Sequence, residues 1–171
     1  PVQVILSDKQ AEVVCQDSSG IWQTLCVATY DYASSEEMTW SDLQNPKACE
    51  PSSVYESLAQ QGLTYGKAWQ RIEKIKLGDN GRIEAILRAG LSGESYHFHP
   101  LILDAFVQTI AVVFLGNDIS ATYLPEGVGQ ATFHRERITG ETVLVKGEVR
   151  SGEGWVSADS VSYTHLRAHE T

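Results

Sequence analysis

The chain has 171 residues, of which 42% are hydrophobic and 20% charged, enough for one sizeable core or two small lobes and too apolar for a disordered region. A formal net charge of -9, with no cluster of Lys and Arg, excludes the phosphate neutralisation on which nucleic-acid binding rests. Its longest apolar run, Leu101 to Leu115, is interrupted by Asp104, Gln108 and Thr109 and falls short of the ~20 residues that span a bilayer, so no membrane partner is expected.

The opening residues, "PVQVIL", start directly in a strand pattern with no positively charged leader, which suggests a fragment of a longer chain. Three β-like runs follow one another: Val2–Leu6, Ala11–Gln16 and Ile21–Tyr30. Between the last two, "DSSG" (Asp17–Gly20) combines locally bonding Asp and Ser with a Gly suited to positive φ, and predicts an antiparallel meander. Cys15, Cys26 and Cys49 have neither zinc-site spacing nor an even count, and are expected to be reduced thiols in a cytoplasmic protein. Cys15 and Cys26 lie in strand-like runs, where a free Cys serves as a small buried hydrophobe.

From Tyr32 to Ser52 the pattern dissolves into Ser, Glu, Asp, Asn and Pro, the composition of a surface linker. "SVYESLAQQG" (Ser53–Gly62) predicts a helix, with Ser53 and Glu56 as a capping box and Gly62 as the left-handed stop. After a loop, "LTYGKAW", the runs "RIEKIKL" and "RIEAILR" flank "GDNG" and predict a hairpin from Arg71 to Arg88. "HPLILDAFVQTIAVVFLG" then predicts a helix entered at Pro100, stopped at Gly116, and, being apolar on all faces, buried on all faces. Strand-like runs return at Gly129–Arg135, Glu141–Arg150 and Trp155–Ser162, with "SGEG" turning between the last two. The tally is an α+β arrangement: a curved antiparallel sheet around one apolar helix.

The tail "SYTHLRAHET", residues 162–171, loses this periodicity. It resembles a peptide produced when adapter DNA is translated out of frame, and is read as non-native; His165 and His169 carry no functional expectation.

Asp104 and Gln108 are the chemical feature of the apolar helix, since residues i and i+4 share one face. Desolvation favours the neutral, proton-bearing form of a buried carboxyl group, which makes Asp104 a candidate general acid, and a Gln amide one turn away can orient it or a leaving hydroxyl. The positive end of the helix dipole, about one turn before Asp104, opposes this by favouring the charge. A structural role, in which Asp104 pairs with a core Arg such as Arg88 or Arg135 or accepts from backbone amides, is equally open on the residues alone. His97 and His99 alternate as a metal pair would, yet no third ligand lies at a helpful spacing.

The order of these segments, "YESL", "GLTYGKAW", a hairpin, "HPLILDAFVQ" and "YLPEGV", resembles the C-terminal half of the dehydratase domain of modular polyketide synthases, over about Val2 to Ser160. "HPLILDAFVQ" matches that family's HPxxLDxxxQ segment; "YLPEGV" and "LTYGKAW" are supporting matches, with Trp69 in place of the usual Phe and Lys67 where Pro is frequent. The resemblance implies two hot-dog folds side by side. Residues 1–31 would then be the last strands of the N-terminal lobe, 32–52 the inter-lobe linker and 53–161 the C-terminal lobe. It also implies that Asp104, oriented by Gln108, protonates a departing β-hydroxyl, that Tyr65, Gly66, His99, Pro100, Leu124 and Pro125 bind the substrate, and that His99 and Pro100 set the entry of the helix.

The family's base, a histidine in HxxxGxxxxP, has no counterpart: none of His97, His99 and His134 is followed by Gly four residues later. The fragment alone is therefore expected to be inactive. The implied substrate is a β-hydroxyacyl thioester on the phosphopantetheine of an acyl carrier protein, with no directly bound metal or redox cofactor. Neighbouring synthase domains are the implied partners, and a homodimer through the parent synthase is compatible with the resemblance. Two alternatives share the fold: a product-template or pyran-forming relative, and a non-catalytic hot-dog remnant that only packs its neighbours.

Overall fold

Alternating apolar residues broken by Asp, Asn and Gly lead to antiparallel pairing at both ends of the chain. The computed structural model describes residues 1–31, 40–90, 96, 99–115, 123–132, 140–152 and 155–163. The chain divides into two units, Pro1–Glu37 and Met38–Thr171.

In the first unit, β1 (Val2–Ser7), β2 (Gln10–Gln16) and β3 (Trp22–Thr29) form a three-stranded antiparallel sheet in that order. The turn predicted at "DSSG" forms around the Asp17 carboxylate, which accepts the backbone N–H groups of Ser19 and Ile21 at 2.8 and 3.0 Å, while Gly20 takes φ 85°. Those hydrogen bonds, the Ser19 hydroxyl foremost, hold the Asp17 carboxyl below its ordinary range. The cysteines here are not the buried hydrophobes expected, because Cys26 is exposed and Cys15 half-buried.

The second unit is a five-stranded antiparallel sheet, β4 (Lys47–Cys49), β5 (Ile72–Leu77), β6 (Arg82–Arg88), β7 (Thr142–Gly152) and β8 (Trp155–Tyr163), in chain order across the sheet. β4 was not anticipated; it is a short edge strand pairing Ala48 with Lys76 inside the stretch read as linker. β8 in turn reaches two residues into the stretch read as a non-native tail, pairing Tyr163 with Leu144. Residues 129–132 are not in a strand, unlike the expectation for Gly129–Arg135, of which 133–135 lie outside the described residues.

The predicted hairpin forms with Asn80 and Gly81 at φ 58° and 72°, and Ile83 facing Leu77. Gly81 is required twice over: its φ is left-handed, and a Cβ there would collide with the Val149 carbonyl oxygen. Helix α1 (Pro51–Gln60) starts earlier than predicted. Its N-cap is Glu50, Pro51 occupies the first turn where it needs no N–H partner, and the Ser53–Glu56 capping box does not form, Ser53 N–H instead donating to the Glu50 carbonyl. The stop at Gly62 is as predicted: at φ 88° its N–H donates to the Ala59 carbonyl, while the Leu63 N–H donates to that of Leu58, a Schellman pair.

Helix α2 (Pro100–Ile110) continues as a short 3-10 turn, Ala111–Phe114, and Gly116 lies outside the described residues. Ile102, Ala105 and Val112 on the helical segment, Val54 and Leu58 on α1, Ile75 on β5, Ile83 and Leu87 on β6, and Val143 and Val145 on β7 form one buried core. The helix is nevertheless not enclosed on all faces, since Leu103 and Val107, one turn apart, are 49% and 37% exposed. Hydrophobic composition all round set that expectation; the sheet packs against one side only.

Candidate active site

The start of α2 is set by His99 and Pro100, as the sequence suggested. Pro100 takes the first helical position, and the His99 Nδ1 accepts the Leu101 N–H at 3.1 Å, so this ring caps the helix. Tyr96 packs edge-on to the His99 ring at 5.0 Å. His97, its proposed metal-binding neighbour, lies outside the described residues, as does His134.

One turn into the helix stands Asp104, half-buried rather than enclosed, and one turn further stands Gln108, 1% exposed. Helical spacing brings the two together as expected: Gln108 Nε2 donates to Asp104 Oδ2 at 2.5 Å. The same Nε2 donates to the Trp69 carbonyl at 3.1 Å. The Trp69 carbonyl fixes which way the carboxamide faces, because the amide oxygen cannot donate to it. Gln108 Oε1 is left buried with no hydrogen-bond partner among the described residues. Arg88, considered as an ion-pair partner for Asp104, gives its Nη2 to the Gln70 carbonyl at 3.0 Å, and no ion pair joins it to Asp104 among the described residues; Arg135 lies outside them.

Two tyrosines complete the surroundings. Burial pushes the Tyr65 hydroxyl above its ordinary pKa, and the negative charges of Asp104 and Tyr55 push in the same direction. Tyr55 on α1 is raised chiefly by burial too, against the lowering effect of the hydrogen bonds it accepts. Its hydroxyl accepts the Ile72 N–H at 3.0 Å, tying α1 to the start of β5, and its ring lies tilted against Tyr65 at 6.3 Å.

Gly66 contributes backbone, its carbonyl accepting the Trp69 N–H at 2.9 Å in the turn that leads to Trp69. Leu124 and Pro125 are exposed, and the preceding Tyr123 stacks on Phe114 at 5.1 Å, beyond the C-terminal end of α2, whereas Asp104 is near its start. Sequence reasoning noted Trp69 only as standing in place of the usual Phe and missed that its carbonyl holds Gln108; a backbone acceptor leaves no mark in residue identity.

Around this pair the chain can be compared with known proteins. Residues 42–164 match a family model described as the polyketide synthase dehydratase N-terminal domain. Erythronolide synthase EryA2 of Saccharopolyspora erythraea is 31% identical over 90 residues, which cover 53% of this chain and 2% of that synthase. Among solved structures, the dehydratase domain of RzxB from Pseudomonas fluorescens is similar with a TM-score of 0.75 at 17% identity, covering 95% of this chain and 61% of that one. The dehydratase domain of the polyketide synthase PpsC from Mycobacterium tuberculosis is similar with a TM-score of 0.65 at 20% identity, covering 94% of this chain and 60% of that one. The chain thus spans about three fifths of the solved domains it resembles. It is an α+β protein with the hot-dog fold, and it belongs to the polyketide synthase dehydratase family.

Proposed function

We propose that the chain is the acid-bearing, C-terminal part of a dehydratase domain of a modular polyketide synthase, which eliminates water from a β-hydroxyacyl thioester carried by an acyl carrier protein. The family model matched is described by the words N-terminal domain, and the assignment to the C-terminal half rests on the motif order ending in "HPLILDAFVQ" and "YLPEGV". The observation that carries the reading is the Gln108–Asp104 hydrogen bond on the apolar helix.

In the elimination, a base removes the α-proton, the C–H electron pair becomes the C=C bond, the Cβ–O bond breaks, and the departing oxygen takes a proton and leaves as water. The thioester carbonyl acidifies the α-position, so the chemistry needs no metal or redox group. Asp104 supplies the proton to the oxygen. Gln108 Nε2 donates to Oδ2 and so fixes the orientation of the carboxyl group that faces the departing oxygen. The base is a histidine of the other lobe, absent from this sequence. Tyr65 lies within electrostatic reach of the acid, and His99 with Pro100 sets the register that puts Asp104 one turn in.

In the first unit, Val2, Val4 and Leu6 alternate along β1 and are exposed by 62%, 64% and 71%, which suits strands that complete the sheet of another lobe. The test is to assay the chain alone and joined to the upstream lobe with a β-hydroxyacyl pantetheine thioester. The joined protein is expected to form the α,β-unsaturated thioester and the chain alone none; turnover by the chain alone would contradict the reading.

A further inference from the structure

The turn between Tyr65 and Gln70 is braced at nearly every carbonyl. Tyr65 O accepts Gln70 Nε2 at 2.8 Å, Gly66 O accepts the Trp69 N–H at 2.9 Å, and Ala68 O accepts Arg71 Nε at 2.8 Å. Gln70 O accepts Arg88 Nη2 at 3.0 Å, and Trp69 O receives Gln108 Nε2 at 3.1 Å. Downstream the chain is held again where Ile72 N–H meets the Tyr55 hydroxyl. Five of these braces act within the segment or at its flanks, and the one at Trp69 reaches the Asp104 pair.

Gln70 occupies the decisive place. Its side chain closes the turn from the C-terminal end back to Tyr65, and its backbone adjoins the Trp69 carbonyl directly, so the direction of that carbonyl depends on the Gln70 conformation. Arg71 and Arg88 hold the segment from exposed or half-exposed positions, whereas the Gln70 amide spans its base. Gln108 faces Asp104 with its nitrogen because Trp69 O claims the other amide hydrogen. Released from Trp69, the carboxamide has no second acceptor to fix it, and its buried Oε1, without a partner in the described residues, can turn toward Asp104 instead.

We propose that Gln70 is a positioning residue: by holding the Tyr65–Trp69 turn it aims the Trp69 carbonyl at Gln108, and so fixes the amide face that Gln108 presents to Asp104. The proposal rests on the reading of Asp104 as the acid for its catalytic meaning, but its geometric content is tested without turnover. In the full 171-residue chain, hydrogen exchange of the Gln108 side-chain amide is followed by NMR in the native sequence, in Gln70→Met and in Gln70→Glu, which is polar and of equal length but cannot donate. Exchange at Gln108 Nε2 is expected to quicken about tenfold in both variants, the protection that one hydrogen bond supplies, while the core amides of Leu87 and Val145 keep theirs. Should Gln70→Met fail to fold, Gln70→Glu decides by the same signal. Unchanged protection of the Gln108 amide in a folded variant overturns the proposal. A joined protein that folds but does not dehydrate refutes the acid assignment and leaves this result standing.

Discussion

Gln108 donates to Asp104 across one turn of α2, and the same nitrogen is held from the other side by the Trp69 carbonyl. The pair is therefore part of a three-point arrangement in which a helix supplies the spacing and a loop supplies the orientation. Leu103 and Val107 are exposed on α2, and Asp104 beside them in the chain is half-buried.

Replacing Gln108 by Leu keeps the volume and removes both donated hydrogen bonds. The Trp69 carbonyl loses its partner inside the protein, so the chain is expected to be destabilised by about 1–3 kcal/mol, read as a lower urea midpoint at unchanged slope. In the joined protein, an acid freed from its orienting amide is expected to lose about 10²-fold in kcat. Unaltered stability and rate would show that the amide is a bystander.

The two tyrosines predict an alkaline limit. Both hydroxyls have pKa values raised in the folded chain above the ordinary 10.0, burial being the larger cause, so the folded state holds these protons more tightly than the unfolded one. Their contribution is complete below pH 10 and is lost as the pH rises through the folded values. Thermal stability should therefore fall above pH 10, and Tyr55→Phe should flatten that fall while costing about 1 kcal/mol at neutral pH through the unpaired Ile72 N–H. An equally steep alkaline loss in Tyr55→Phe together with Tyr65→Phe would refute the assignment.

Gly81→Ala tests the hairpin that fixes β5 against β6. The new Cβ would meet the Val149 carbonyl oxygen at a backbone φ of 72°, so a loss of about 2 kcal/mol or more is expected. Gly62→Ala is also at positive φ, 88°, but meets nothing within 4 Å, and should cost about 1 kcal/mol. Equal losses at the two positions would mean that the Val149 contact relaxes freely.

Local chemistry explains what could be read in advance. Asn80-Gly81 and the Asp17 turn carry their conformations in their own side chains or lack of one, and Asp104 and Gln108 meet because helical spacing leaves them no choice. Where two signals competed, the sequence misled: Pro51 and Ser53 both mark helix starts, and Pro51 prevails because its fixed φ already fits the first turn. The exposure of Leu103 and Val107 was hidden because composition tells that a face is apolar, not whether anything covers it. The strand β4 is three residues long with mixed polarity and exists through its pairing to β5, a tertiary fact. The Trp69 carbonyl was invisible for the same reason, being backbone whose partner lies 39 positions away.

The most direct test of the account is Asp104→Asn in the protein joined to its upstream lobe. Asparagine keeps the shape and the helix but cannot deliver a proton, so the dehydration rate is expected to fall by about 10²–10⁴-fold with the thermal midpoint little changed. A folded Asp104→Asn protein that dehydrates its β-hydroxyacyl thioester at near the native rate would contradict the assignment of Asp104 as the acid.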